Sequence, residues 1–279
     1  MAHRLRFYGE PPPRLGELGV DGRLIVIEGT DGVGRSTQTK LLKEWLEDHG
    51  FAVVDTGLTR SELAGPGIQR AKQGHTLDPV TLNLFYATDF CDRLERLVIP
   101  ALRAGMVVLA DRYIYSLIAR AGVRGVPVKW MEQVYTFAAV PDRVIYLDVG
   151  IEDLVPRVLQ KSGFDYWESG QDFLRGLDPY QSFIEYQARI LKLFKDLALR
   201  YGFKVVNARG SVTDTFESIL EEVTTVTTGM TGAARDPGPA VAKAAPGGLS
   251  SGLVTNGQSP NQGQPLQRGP RRAPRTPSS

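Results

Sequence analysis

This chain has a single cysteine, Cys91, so it can form no internal disulfide. Its three histidines, His3, His49 and His75, stand far apart without the spacing of metal ligands, and no structural zinc is expected. No run of residues is apolar for long enough to span a bilayer, and the first residues, Met1 to Tyr8, lack the apolar stretch of a secretory signal. A cytoplasmic location with no membrane partner is the expectation. A dominant charge is missing too, since 33 Lys and Arg face 31 Asp and Glu. The balance is uneven, however. Residues 228–279 carry Arg235, Lys243, Arg268, Arg271, Arg272 and Arg275 against Asp236 alone, which leaves the rest mildly acidic. A basic tail on an acidic body argues against a dedicated nucleic-acid site on the domain itself. The tail is also dense in Gly, Pro, Ser, Ala and Gln, a composition that buries too little apolar surface to offset chain ordering, and it is expected to be disordered. Contact of Arg268 to Arg275 with RNA or an anionic surface is the alternative to a solvated tail.

What is present suits one α/β domain. The chain has 279 residues, 42% of them hydrophobic, enough for one large core. Residues 1–22 read as an N-terminal extension with a proline-rich stretch, 23–227 as the domain and 228–279 as the tail. Apolar runs predict strands over Arg23 to Glu28, Phe51 to Thr56, Met106 to Asp111, Arg143 to Asp148 and Phe203 to Asn207. Helical spacing predicts helices over Ser36 to His49, Pro79 to Arg103, a segment after Asp111, Ile151 to Lys161, Pro179 to Arg200 and Val212 to Val226. The alternation implies right-handed crossovers: a five-stranded parallel sheet with helices on both faces and ligands at the carboxyl ends of its strands.

The most informative stretch is Gly29-Thr30-Asp31-Gly32-Val33-Gly34-Arg35-Ser36, with Thr37 behind it. An apolar strand precedes it and an amphipathic helix follows, which is the setting of a phosphate-binding P-loop. Glycines let the backbone turn its N–H groups inward while the helix dipole points at the same place, so the natural guest is a polyphosphate. Ser36 is placed to ligate magnesium. Position 35 ordinarily carries lysine, and Arg35 keeps the charge on a bulkier, planar group. A loop that binds nucleotide with little turnover is the competing reading.

Two further groups emerge at the same sheet edge. Asp111-Arg112-Tyr113 ends a buried strand, so Asp111 can hold magnesium or its water and Arg112 can neutralise phosphate charge. A pair that merely closes the strand end is the alternative. Arg60 follows another strand and would point into the same crevice. Between two helices, Lys161 to Arg175 has glycines near both ends and little regular pattern, which suits a water-excluding lid; its apolar Phe164, Tyr166 and Trp167 equally suit a packed structural loop.

Ile25 to Gln38, Phe85-Tyr86-Ala87-Thr88-Asp89, Ile99 to Leu102, Asp111-Arg112-Tyr113 with Ser116, and Tyr146 to Val149 together resemble the thymidylate kinase family of P-loop nucleoside monophosphate kinases, over about Gly22 to Val223. The resemblance implies ATP-dependent phosphorylation of dTMP with Mg2+, usually by a homodimer. It implies ATP contacts at Gly29 to Thr37, and Asp31, Arg35, Asp111 and Arg112 in catalysis. Ser36 and Asp111 would hold the metal, and Arg60, Tyr86, Phe90, Arg112 and Ser116 the acceptor, with Tyr86 stacking on the base. Phe90 stands where the family has a base-reading arginine, Leu117 and Arg120 replace polar and aromatic residues near the sugar, and Asp165-Tyr166 replaces an Asp-Arg pair of the lid. A lid arginine would then come from Arg157 or Arg175. An acceptor other than dTMP, and a nucleotide-binding module without turnover, remain as alternatives.

Overall fold

Continuous apolar runs make strands that bury both faces, and here they assemble in the middle of the molecule. The structure is a computed structural model that describes residues 3–13, 15, 19–74, 77–161 and 163–230. Its elements in chain order are β1 (His3–Arg4), β2 (Gly19–Val20), β3 (Arg23–Glu28), α1 (Arg35–Asp48), β4 (Val53–Gly57), α2 (Gly65–Gly74), α3 (Pro79–Arg93), α4 (Ile99–Arg103), β5 (Val107–Asp111), α5 (Ile114–Val123), α6 (Val128–Val134), β6 (Arg143–Asp148), α7 (Ile151–Lys161), α8 (Pro179–Tyr201), β7 (Lys204–Asn207) and α9 (Val212–Thr227). The order β4-β5-β3-β6-β7 forms a five-stranded sheet, parallel throughout.

Alternation along β3 sorts the core into two layers. Leu24 and Val26 face one side with Phe90 of α3, Leu117 of α5 and Phe194 of α8. Ile25 and Ile27 face the other with Leu42 of α1, Leu154 of α7 and Ile219 of α9. The expected α/β sheet with helices on both faces is therefore the observed one. Ile27 of β3 lies in register with Asp111 of β5, so the chain leaves two adjacent strand ends side by side. From there it runs to opposite sides of the sheet, the arrangement that opens a ligand crevice.

The expected helix from Pro79 to Arg103 is continuous but passes through a π turn at Leu94–Val98. Pro100 has no N–H for the regular ladder, and the wider turn absorbs that loss. Two helices escaped the pattern. The helix α2 opens on Gly65-Pro66-Gly67, poor helix formers, and α6 is a short helix behind Pro127. The N-terminal residues pack on the domain: β1 pairs with β2, Phe7 bridges to Ala139, and Leu5 and Val20 are buried. The basic tail expected to be disordered, beyond 230, lies outside the described residues.

Candidate active site

The loop between β3 and α1 turns where glycine is required. Gly32 and Gly34 have φ of 82° and 100°, in the left-handed region. Gly34 caps α1 without any side-chain hydrogen bond, so nothing from the cap occupies the first-turn amides. Those amides and the helix dipole face a cavity of about 340 Å³ lined by Thr30 to Thr37 except Val33, with Arg112, Arg157, Val158 and Glu168. A second cavity, about 640 Å³, continues past Val33 and Gln38 to Arg157, Gln160 and the loop from Ala208 to Val212, which is room for a donor nucleoside.

Arg35 is turned back under the loop. Its Nη1 donates to the carbonyls of Gly29 and Thr30, each at 2.6 Å, and its Nε donates to Asp111 Oδ1 at 2.7 Å. Ser36 Oγ donates to the other oxygen of Asp111 at 3.3 Å. The two residues expected to hold metal therefore stand together as a hydroxyl and a carboxylate, hard oxygen donors that fit Mg2+. Among the described residues no group of three or more His, Cys, Asp or Glu side chains could hold a metal ion.

Asp31 stands at the centre of a second network. Arg112 Nη2 donates to its Oδ1 and Arg120 Nη2 to its Oδ2, the latter at 2.6 Å. Burial alone would raise the Asp31 pKa, but the cations of Arg112, Arg120 and Arg35 outweigh it and hold the carboxyl far below the usual range. Burial, then the neighbouring Arg120 and Arg35, brings the Arg112 pKa down to about 10. Glu168, 3.9 Å from Arg120, has its pKa raised by burial and by Asp31. Arg112 itself has φ of 74° and is fixed by its amide, which donates to Ile27 O at 3.0 Å. Beneath it, the buried Glu28 accepts from the amides of Tyr113 (2.8 Å) and Ser116 (3.2 Å) and from Ser116 Oγ (2.6 Å). Burial pushes the Glu28 pKa up, against the lowering effect of those bonds. The strand-end carboxylate Glu28 was a missed positioning residue, legible only as a polar residue closing an apolar strand.

The acceptor side has two cavities. One of about 220 Å³ is lined by Arg60, Lys72, Tyr86, Asp111, Arg112, Arg120 and Glu168 among others. The next, about 470 Å³, is lined by Leu58, Asn83, Tyr86, Leu117, Arg124, Trp167 and Arg175 among others. Tyr86 borders both. Arg60 is half exposed and donates to Asp55 Oδ2 at 2.9 Å. Its loop is held by Asp89, which accepts from the amides of Thr59 (3.1 Å) and Ser61 (2.9 Å) and from Arg93 Nε (3.0 Å).

Phe90 and Ser116 are not presented to the cleft. Phe90 is 2% exposed and packs edge-on against Tyr113 and Tyr135, while Ser116 is fully buried on Glu28. Phe90 shares the core-facing side of α3 with Ala87, whereas Val80, Leu84 and Phe85 of the same helix are exposed. Neither side chain lines the two cavities that Tyr86 borders.

The segment expected as a lid or a packed loop divides its aromatic residues between the core and a cavity wall. Phe164 packs on Phe183 with ring centres 4.9 Å apart, whereas Tyr166 and Trp167 line the larger acceptor cavity. Arg124 fixes the segment through Asp172, at 2.7 and 2.9 Å, and through Trp167 O at 2.8 Å. Of the two candidate lid arginines, Arg157 reaches the phosphate loop, donating to Val33 O at 3.4 Å, and is held from the β7–α9 loop through Ala208 O at 2.9 Å, while Arg175 lines the acceptor side. The sequence pattern gives no sign of Lys72, because its helix α2 opens on Gly65-Pro66-Gly67, which argue against a helix.

A phosphate loop heading the central strand, a carboxylate–arginine pair at the neighbouring strand end, and cavities on either side define a P-loop phosphotransferase. The comparisons with known proteins make that class specific. Residues 27–219 match the family model "Thymidylate kinase". The chain is 37% identical to a "Probable thymidylate kinase 2" of Saccharolobus solfataricus over 178 residues, 63% of this chain and 83% of that protein. It is 32% identical to a "Probable thymidylate kinase" of Pyrococcus horikoshii over 207 residues, 71% of this chain and 94% of that protein. The chain belongs to the thymidylate kinase family, and its enzyme class is nucleoside monophosphate kinase.

Proposed function

We propose that this chain transfers the γ-phosphoryl group of ATP to dTMP, with Mg2+, and that it does so in the cytoplasm as a homodimer. One observation carries the reaction: the donor-phosphate cavity and the smaller acceptor cavity share Arg112 and Glu168 at their junction. Phosphoryl transfer needs its donor and acceptor in line and its equatorial charge neutralised, more than it needs covalent chemistry. Arg112, rigid and largely withdrawn from water, supplies a cation at that junction. Asp31 aligns the acceptor by holding Arg112 and Arg120. The amides at the start of α1 and Arg157 bind the donor phosphates, and Arg35 holds the loop in shape and stands next to them. Tyr86 stacks on the acceptor base, and Trp167 helps to exclude water. Ser36 and Asp111 are the residues that would hold Mg2+, which would supply neutralising charge to the donor phosphates.

Family membership supports the cytoplasmic homodimer, and no helix among the described residues is long and apolar enough to cross a membrane. Burial of Phe90 favours a second reading in which the acceptor is a different nucleoside monophosphate, since no arginine reads the base from that position. The deciding experiment is coupled production of nucleoside diphosphate from ATP and Mg2+ with dTMP, dUMP, dCMP, dGMP and dAMP presented separately. Preference for dTMP is the expected result. Another preferred acceptor relocates the substrate, and no product despite ATP binding replaces the kinase by a nucleotide-binding module.

A further inference from the structure

Lys72 and the exposed Arg175 are the two cations on the acceptor side that form no ion pair among the described residues. Arg60 is paired with Asp55, Arg112 and Arg120 with Asp31, and Arg124 with Asp172. Among the described residues, Lys72 has no carboxylate within ion-pair distance. It is nonetheless half-buried, borders both acceptor cavities, and lies with its ammonium 5.7 Å from the centre of the Trp167 ring. Burial, then the nearby Arg120 cation, lowers its pKa, against the raising effect of the more distant Asp165, Glu168 and Asp31 carboxylates. An ammonium drawn from water with no carboxylate in contact costs free energy that an anionic guest would offset.

The helix that carries Lys72 is tied to the Arg60 loop. The Gly65 amide donates to Ser61 O at 2.9 Å, and a Cβ on Gly65 would lie 2.6 Å from Thr59 O, so α2 starts in close contact with that loop. Asp89 holds the same loop through Thr59 and Ser61. Arg60 and Lys72 are therefore set on one rigid unit facing one cavity.

We infer that Lys72 binds the phosphate of the acceptor nucleoside monophosphate, beside Arg60 and Arg112, under the cover of Trp167. The inference rests on the kinase reading above and adds to it a residue that none of the motifs shared with the family contains.

The test is calorimetric titration of the full chain with dTMP, at several ionic strengths and without ATP, for wild type, Lys72→Met and Lys72→Arg. The Met variant is expected to bind dTMP about tenfold more weakly, the scale of one charge-assisted hydrogen bond. Its affinity should also depend less steeply on salt, because one cation fewer meets the phosphate. The Arg variant should regain most of the affinity, and thermal melting should show all three chains folded. Unchanged affinity in Lys72→Met, or weaker binding with an unchanged salt slope, overturns the inference and leaves a solvated lysine or a packing role. Wild-type binding of none of dTMP, dUMP, dCMP, dGMP and dAMP removes the kinase reading itself, so the two failures are distinct.

Discussion

Arg35 and Asp111 are joined across the mouth of the phosphate loop, with Nε donating to Oδ1 at 2.7 Å while the same guanidinium closes on the Gly29 and Thr30 carbonyls. The residue that stands in for a P-loop lysine thus bonds the carboxylate proposed for the metal. A planar fork can satisfy three acceptors in this way, and an ammonium on a flexible stem does so less well. Replacing Arg35 by alanine removes the bonds that hold the loop and is expected to lower kcat by about two orders of magnitude, the scale on which a small misplacement of the reacting groups acts. Steady-state kinetics with saturating ATP and dTMP check it, and an unchanged kcat would take Arg35 out of the transfer step.

Removing the hydroxyl at position 36 probes the metal separately. Ser36 makes one long bond, to Asp111 at 3.3 Å, so Ser36→Ala should leave the fold intact. The Mg2+ concentration for half-maximal activity is expected to rise roughly tenfold, the lower end of what altered metal surroundings cost. A metal titration of activity gives the answer, and an unshifted midpoint would show that Ser36 is not a ligand.

The Asp31 carboxylate neutralises two largely buried arginines, Arg112 at 12% and Arg120 at 22% side-chain exposure, so Asp31→Asn should cost roughly 3 kcal/mol of stability at neutral pH, the lower end for breaking a buried pair. Its folded pKa is depressed, so its contribution is present above the unfolded carboxylate pKa of about 4 and is lost as pH falls below it. Denaturant unfolding of wild type and variant should therefore differ at pH 7 and converge as pH drops through the carboxylate range. A gap that stays constant with pH would contradict the ionised network.

Asp89 is fully buried and accepts from two amides and Arg93. Asp89→Ala leaves all three donors unpaired, and a loss of about 3 to 5 kcal/mol is expected. Because those amides belong to the Arg60 loop, the acceptor KM should rise more than the ATP KM. Equal changes in both would mean that the loop does not serve the acceptor.

Phe90→Arg places the family's usual residue in this chain and is expected not to create a base reader. The side chain would enter the cluster of Tyr113, Tyr135 and Phe137, and burying its charge there should cost at least about 3 kcal/mol. Thermal melting alongside the acceptor panel tests this. A stable variant with sharpened preference for dTMP would show that position 90 faces the base.

The residue pattern alone determined the sheet, because strands buried on both faces must be apolar throughout: β3 and β6 run over the very residues expected, Arg23–Glu28 and Arg143–Asp148. The phosphate loop was legible for a similar reason, since left-handed backbone at Gly32 and Gly34 demands glycine and leaves its mark locally. Tertiary structure alone decided which side chains meet. Asp31 and Arg120 are 89 residues apart, and Asp89 and Thr59 are 30 apart. Pairing at such distance leaves no periodic trace, because each partner is consistent with its own element whether or not the other is near. Helix α2 shows the same limit from the other direction: glycines and a proline argue against a helix there, and packing on α3 overrides them. Lys72 enters the acceptor side only through that override, while Phe90 leaves it because the face of α3 that carries it turns into the core.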